Sequence, residues 1–351
     1  MSGARTTFHP LAVAAVEPLT DDSAAVTFSV PADLVDDFAF AAGQSLTLRF
    51  GGERRSYSIC APVGKPPRIG VRVVPGGKVS GWLVHEARPG DLIDVLPPSG
   101  SFSPELGKPG NHVLVAAGSG ITPMLSIAAS LLAAAPDTRV TLLYGNRRAD
   151  TVMFADAVAD LKDAYPSRMC VVHVLSREPQ EVELFSGRMD AEKLRSLLPA
   201  TVEPTAVDHW WLCGPLGLVT AATGVLAELG VPGARVHREL FYVEDEPPDQ
   251  NRHQDDSVAV GAEVTVILDG RRSVLSVPPG VPVLDGAQKV RPDLPFACKG
   301  GVCGTCRALV TSGQVHMRRN FALDQSEIDA GYVLTCQALP VSDTVTVDYD
   351  S

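Results

Sequence analysis

The sequence predicts four consecutive segments: an antiparallel β-barrel over residues 1–106, an α/β domain on a parallel sheet over 107–243, an acidic linker over 244–260, and a small α+β domain over 261–351. Three observations carry this. Short apolar runs punctuated by Gly, Pro and Asp fill the first segment, the pattern of many short strands. Apolar runs then alternate with helical periodicity, which is how a parallel sheet with crossover helices reads. Residues 244–257 hold six acids, one arginine and two prolines with almost nothing apolar, so no core can form there and like charges keep the chain extended.

In the first segment the strands are expected at 11–19, 23–31, 44–50, 55–60, 68–76 and 91–98, with a short helix over 81–87. In the second they are expected at 112–118, 139–145, 169–176 and 208–214. Phe154, Val158, Leu161 and Tyr165 recur at helical spacing, and Leu218, Val225, Leu226 and Leu229 suit another helix stopped by Gly230. After the linker, residues 262–280 read as a hairpin turning at Asp269-Gly270. A long cysteine-containing loop follows, then a strand over 307–315, a short helix from Asp324 to Ala330 and a final strand over 344–350.

Composition excludes several classes. A chain of 351 residues that is 45% hydrophobic and 20% charged is globular rather than disordered. A net charge of −11 argues against a protein that binds nucleic acid through its phosphates. Seven cysteines in so long a chain do not make a secreted disulfide scaffold, and the N-terminus lacks the apolar core of a signal peptide, so a cytoplasmic location is expected. Residues 113–135 are uncharged for 23 positions, long enough to span a bilayer. Gly118-Ser119-Gly120 and Thr122-Pro123 break that run into a strand, a turn and a helix, so membrane insertion is not expected.

The most specific motif is Cys298, Cys303 and Cys306 in the spacing C-x4-C-x2-C, with Cys336 far downstream. Two sulfide-bridged irons require four thiolates, and a glycine-rich loop can wrap around them. Gly300, Gly301 and Gly304 let that loop turn tightly and aim N–H groups at sulfur. Structural zinc usually shows two C-x2-C pairs, and only one is present here.

Upstream, Arg55-Ser56-Tyr57-Ser58 combines a donor fork for phosphate, a ring able to lie on a planar cofactor, and a hydroxyl. Alternation places Arg55 and Tyr57 on one face of a strand, so Ser58 needs a bend or the strand's end to reach the same ligand. Gly76-Gly77-Lys78-Val79-Ser80 leads into the short helix, where backbone donors suit pyrophosphate, with Arg72 in support. Gly118, Gly120, Ile121, Thr122 and Pro123 form a strand–turn–helix phosphate site, with Thr122 expected as N-cap and Pro123 as the first helical residue. Cys213-Gly214-Pro215 ends a strand. Cys60 and Cys170 read as ordinary strand residues.

These motifs, in this order, resemble a ferredoxin–NADP reductase module fused to a C-terminal plant-type 2Fe–2S ferredoxin of β-grasp fold. The arrangement is similar to the reductase components of multicomponent oxygenases, above all the phenylacetyl-CoA epoxidase reductases, with 3-ketosteroid 9α-hydroxylase reductases near relatives. The resemblance implies FAD held by Arg55, Tyr57, Ser58, Arg72, Gly77, Lys78, Val79 and Ser80. It also implies a nicotinamide nucleotide at Gly118, Gly120, Ile121, Thr122, Pro123, Cys213, Gly214 and Pro215, and a cluster on Cys298, Cys303, Cys306 and Cys336. Ser58, Cys213 and Glu239 become the catalytic candidates, and Phe241 lies near the flavin in the family's E-x-F ending. Arg147, Ser176 and Arg177 resemble a 2′-phosphate site, which favours NADPH over NADH. Electrons would pass from NADPH through FAD and the cluster to a di-iron oxygenase. The alternatives are a Rieske oxygenase partner or a free-flavin reductase, which would leave the last domain without a use.

Overall fold

Alternating apolar residues in the first segment form six antiparallel strands: β1 (His9–Thr20), β2 (Ser23–Ser29), β3 (Ser45–Phe50), β4 (Glu53–Ser58), β5 (Arg68–Arg72) and β6 (Leu92–Val95). In this computed structural model they hydrogen-bond in the order β4-β3-β6-β1-β2-β5, and a bridge from Ile59 to Ile69 joins the two ends into a barrel. Closure buries Leu11, Val26, Phe28, Leu46, Leu48, Ile69 and Val95 and removes both sheet edges. Helix α1 (Lys78–Gly81) runs on into a π-helical turn, Trp82–Glu86. The structure describes residues 7–241, 261–291, 293–296, 299–302, 304–323 and 325–351. The acidic linker 244–260, Cys298, Cys303 and Asp324 therefore lie outside the described residues.

The next strands, β7 (Asn111–Ala117), β8 (Arg139–Asn146), β9 (Met169–Leu175), β10 (His209–Gly214) and β11 (Val236–Leu240), form a parallel sheet in the order β11-β10-β7-β8-β9. The crossovers carry α2 (Ile121–Ala134), α3 (Ala155–Ala164), α4 (Ala191–Thr201) and α5 (Leu216–Glu228). The strand order reverses between β7 and β10, and the crevice beyond their carboxyl ends is where open α/β sheets bind ligands.

Helix α2 explains the membrane-like run. It is buried nearly all round because the barrel lies on one side and the sheet on the other: Ser126 Oγ donates to Ala61 O at 2.7 Å, and Ser130 Oγ accepts from Val63 N at 3.1 Å. Among the described residues, no helix is long and apolar enough to cross a membrane. The barrel and the parallel-sheet domain share one apolar core, in which Ala25, Cys60 and Phe102 pack with Leu114, Met124 and Trp211, and they form a single unit, Phe8–Phe241.

The start of α2 differs from expectation. Gly118–Gly120 forms a 3-10 turn that feeds directly into the helix, so Gly120 stands at the N-cap position and Thr122 is already helical. The Thr122 hydroxyl donates back to Ser119 O at 3.0 Å instead of accepting from a backbone N–H. Pro123 is tolerated within the first turn because N–H groups there have no intrahelical partner.

The second unit holds β12 (Ala262–Leu268), β13 (Arg271–Val277), helix α6 (Val283–Ala287), β14 (Arg307–Ser312), β15 (Val315–Met317), helix α7 (Gln325–Asp329), β16 (Tyr332–Leu334), β17 (Ala338–Pro340) and β18 (Thr344–Asp348). Its five-stranded mixed sheet runs β13-β12-β18-β14-β16, with β12 and β18 parallel. Asp269 and Gly270 both take positive φ, 52° and 68°, as a two-residue hairpin turn requires. The run expected as one strand over 307–315 breaks at Gly313, whose φ of 80° lets the chain turn into β15. The expected long loop contains α6, which puts Val283 and Leu284 into the core.

Candidate functional site

Three strands that are remote in sequence converge at one point. Ser58 is the last residue of β4, and strand alternation puts its hydroxyl on the face opposite Arg55 and Tyr57. Its Oγ donates to Glu239 Oε2 at 3.0 Å. Cys213, at the carboxyl end of β10, pairs in register with Glu239 on β11, and its Sγ lies 4.0 Å from the same carboxyl oxygen. The crevice walls withdraw this carboxyl from water, and that desolvation pushes Glu239 up to about 7, with the Ser58 hydrogen bond opposing it. Burial, reinforced by Glu239, also raises Cys213 well above an ordinary thiol, so it stays neutral.

The glycine turn packs directly on this point. A Cβ on Gly120 would stand 2.3 Å from Cys213 O, so only glycine lets the two strand ends approach. Gly214 takes a φ of 153° and leads into Pro215, the N-cap of α5. Phe241 N donates to Gly214 O at 3.3 Å, which holds the chain end against the same loop. Gly118 has a φ of 54° and faces Arg72. Arg72 reaches Asp22 Oδ1 at 3.1 Å and the carbonyl of Thr151 at 2.7 Å, tying the barrel to the parallel-sheet domain.

On the barrel, Arg55 is exposed and pairs with Glu53 at 2.8 Å, while Lys78 lies 3.9 Å from the same carboxylate. Both cations therefore border one surface. Tyr57 is half-buried against the barrel core, and desolvation raises its phenol. Ser80 Oγ accepts from Val74 N at 3.1 Å and donates to Gly77 O at 3.3 Å, which fixes the loop through Gly77, Lys78 and Val79. At the ends of β8 and β9, Ser176 N donates to Asn146 O and Arg177 N to Arg147 O, at 2.9 and 2.8 Å. Arg147, Ser176 and Arg177 are thereby set side by side, and neither arginine has a carboxylate partner among the described residues.

In the second unit, Cys306 and Cys336 are each 2% exposed. The Cys306 carbonyl accepts from both Thr335 N, at 3.1 Å, and Thr335 Oγ1, at 2.9 Å, so the two cysteine segments are clamped together. Gln337 Nε2 donates to Cys336 Sγ at 3.6 Å and to Lys299 O at 2.8 Å. Lys299, Gly301 and Gly304 take φ values of 53°, 80° and 65°, so the loop carries three left-handed residues in quick succession.

Comparison with known proteins agrees with this layout. Residues 114–224 match the oxidoreductase NAD-binding domain family, and residues 266–341 match the 2Fe-2S iron-sulfur cluster binding domain family. The chain is 41% identical to one of the polypeptides of the 1,2-phenylacetyl-CoA epoxidase of Escherichia coli (strain K12), covering 99% of both chains. It is 37% identical to the ferredoxin reductase component of 3-ketosteroid-9-alpha-monooxygenase of Mycobacterium tuberculosis, over 97% of this chain and 95% of the other. The chain belongs to this family of oxygenase reductase components. As an oxygenase reductase it is an oxidoreductase with an NAD-binding domain and a C-terminal 2Fe–2S domain. Phthalate dioxygenase reductase, described as a modular structure for electron transfer from pyridine nucleotides to 2Fe–2S, shares the fold, with a TM-score of 0.60 at 23% identity over 97% of this chain and 98% of the other.

The cysteine segments of this reductase fit a cluster. Two buried thiols come from separate segments, Cys306 from the end of a loop whose left-handed turns free its N–H groups and Cys336 from the turn between β16 and β17, and a carboxamide donor is already aimed at the Cys336 sulfur. Sequence reasoning missed Thr335 and Gln337, although they flank Cys336 directly. The signal was adjacency alone, and neither residue type is specific for the role.

Proposed function

We propose that this reductase takes one hydride, an electron pair, from NADPH at FAD and delivers electrons singly, through a 2Fe–2S cluster, to the terminal oxygenase of a di-iron phenylacetyl-CoA epoxidase. FAD, when bound, supplies a carrier that accepts two electrons and gives them up one at a time, and the cluster supplies a one-electron carrier. The observation that carries the reading is the meeting of Ser58, Cys213 and Glu239 from three different strands beside the nucleotide turn.

The chain's own groups divide the work. Arg55, Lys78 and the backbone of Gly77, Val79 and Ser80 hold the flavin phosphates, and Tyr57 supports its ring. Gly118, Gly120, Ile121, Thr122 and Pro123 form the start of α2, which receives the nucleotide diphosphate. Cys213, Gly214 and Pro215 border the nicotinamide, with Phe241 covering the chain end. Arg147, Ser176 and Arg177 accept a 2′-phosphate. Glu239, raised to about 7, can take up and release a proton, and Ser58, which donates to its Oε2, links that carboxyl to the reacting centre. Cys306 and Cys336, with Cys298 and Cys303, ligate the cluster.

A second reading, a Rieske oxygenase partner, is favoured by the 37% identity to a 3-ketosteroid-9-alpha-monooxygenase component. Reconstitution decides between them. The purified holoprotein, NADPH and the oxygenase components of a phenylacetyl-CoA epoxidase should yield product in step with NADPH use, and uncoupled NADPH loss there, with coupling to a ketosteroid oxygenase instead, would reverse the assignment. Within either system, Cys306→Ser should abolish one-electron reduction of cytochrome c and leave NADPH-driven reduction of a hydride-accepting dye intact.

A further inference from the structure

The chain is acidic, with a net charge of −11, yet residues 294–323 contain Lys299, Arg307, Arg318 and Arg319 and not one Asp or Glu. This basic stretch folds onto the cysteine segments. Phe321 N donates to Gly301 O at 3.1 Å, and a Cβ on Gly301 would lie 3.2 Å from Arg319 O. Arg318 N donates to Gln337 O at 3.0 Å, and its guanidinium reaches the Cys336 carbonyl at 3.5 Å.

Acids from neighbouring elements neutralise part of the charge. Asp285 of α6 pairs with Lys299 at 2.8 Å, and Glu327 of α7 pairs with Arg307 at 2.6 Å. Arg318 has no salt bridge among the described residues, and its side chain is exposed. Three positions along, Phe321 leaves 38% of its surface in water. An arginine and an aromatic ring close together on an open surface are the residue types enriched where proteins dock. Long-range charge chiefly selects the partner and speeds the encounter.

We propose that the strip from Arg318 to Phe321 is the surface on which the electron-accepting protein docks, and that this protein presents acidic residues around its own redox centre. The inference rests on the reading that single electrons leave through the cysteine cluster. Arg318 supplies the attraction, Phe321 the apolar contact, and both lie against the segments bearing Cys336 and Gly301, so docking there brings the acceptor close to the point of exit.

The test uses the full-length holoprotein with two one-electron acceptors of opposite charge, the acidic soluble domain of cytochrome b5 and the basic cytochrome c. At low ionic strength Arg318→Glu should slow cytochrome b5 reduction about tenfold and speed that of cytochrome c, with both effects fading in high salt. Arg318→Lys should retain most of the wild-type rate. Arg272→Glu, the same charge change on the opposite edge strand β13, should do neither. Equal effects of Arg318→Glu and Arg272→Glu, or the same direction of change with both cytochromes, would overturn the proposal. So would a slowed reduction of the cluster by NADPH in Arg318→Glu, which would make the strip an internal contact. The underlying reading fails separately: it falls if Cys306→Ser still reduces cytochrome b5, whereas docking alone falls if Cys306→Ser abolishes that reduction and Arg318→Glu leaves it untouched.

Discussion

Glu239→Gln replaces the carboxyl with a group of equal size that still accepts from Ser58 and never ionises. Desolvation moves this carboxyl from 4.5 to about 7 in the folded protein. The folded state therefore binds the proton more tightly than the unfolded chain. Below the ordinary carboxylate range both states are protonated and no difference arises. As pH climbs toward 7 the unfolded chain has lost its proton while the folded one keeps it, so stability falls; above about 7 the cost is complete and constant. At about 1.4 kcal/mol per pH unit the full cost is about 3 kcal/mol. The variant should accordingly be about 3 kcal/mol more stable than the wild type near pH 8, and no more stable near pH 4. Urea unfolding followed by tryptophan fluorescence reads this cleanly, because all three tryptophans, Trp82, Trp210 and Trp211, lie in the unit that contains Glu239. A stability gain that is the same at both pH values would refute the argument. Ser58→Ala removes the bond that favours the charged form, so the wild-type pH transition should move upward by about one pH unit.

Gly120→Ala should destabilise the Phe8–Phe241 unit by about 2–3 kcal/mol and raise the KM for NADPH, since the new methyl would stand 2.3 Å from Cys213 O; thermal unfolding and steady-state kinetics check both parts. Replacing Arg147 and Arg177 together with alanine should lower kcat/KM for NADPH at least tenfold and leave NADH nearly unchanged, because each charge-assisted bond to a phosphate is worth about 1.5–3 kcal/mol. Thr335→Val should loosen the clamp on the Cys306 carbonyl and speed loss of iron to a chelator several-fold, with the absorbance of the holoprotein as the readout.

Much of this reductase is written locally. The C-x4-C-x2-C spacing, the strand–glycine–helix turn at Gly118 and the Arg55–Ser58 signature are contiguous, so each can be picked out as a candidate from its own few residues. The hairpin at Asp269-Gly270 is legible for the same reason, because positive φ at two successive positions demands those residue types. Elements that depend on neighbours were not legible. Strand β11 has five residues and a mixed pattern, and it exists because β10 offers it a parallel edge. The position of Thr122 inside α2 follows from the 3-10 turn that the close approach of Gly120 to Cys213 imposes.

By itself the amino-acid order determined that an NAD-binding domain precedes a 2Fe–2S domain, and it supplied the candidate cysteine ligands and the kinds of groups offered to a flavin and a nucleotide, since each is encoded within a short window. Only the tertiary structure decided that Ser58 and Glu239, 181 residues apart, share a hydrogen bond. It also set how far Glu239 is withdrawn from water and placed Arg318 beside Cys336. Desolvation and long-range contact are properties of the packed chain as a whole, and no local pattern of residues contains them.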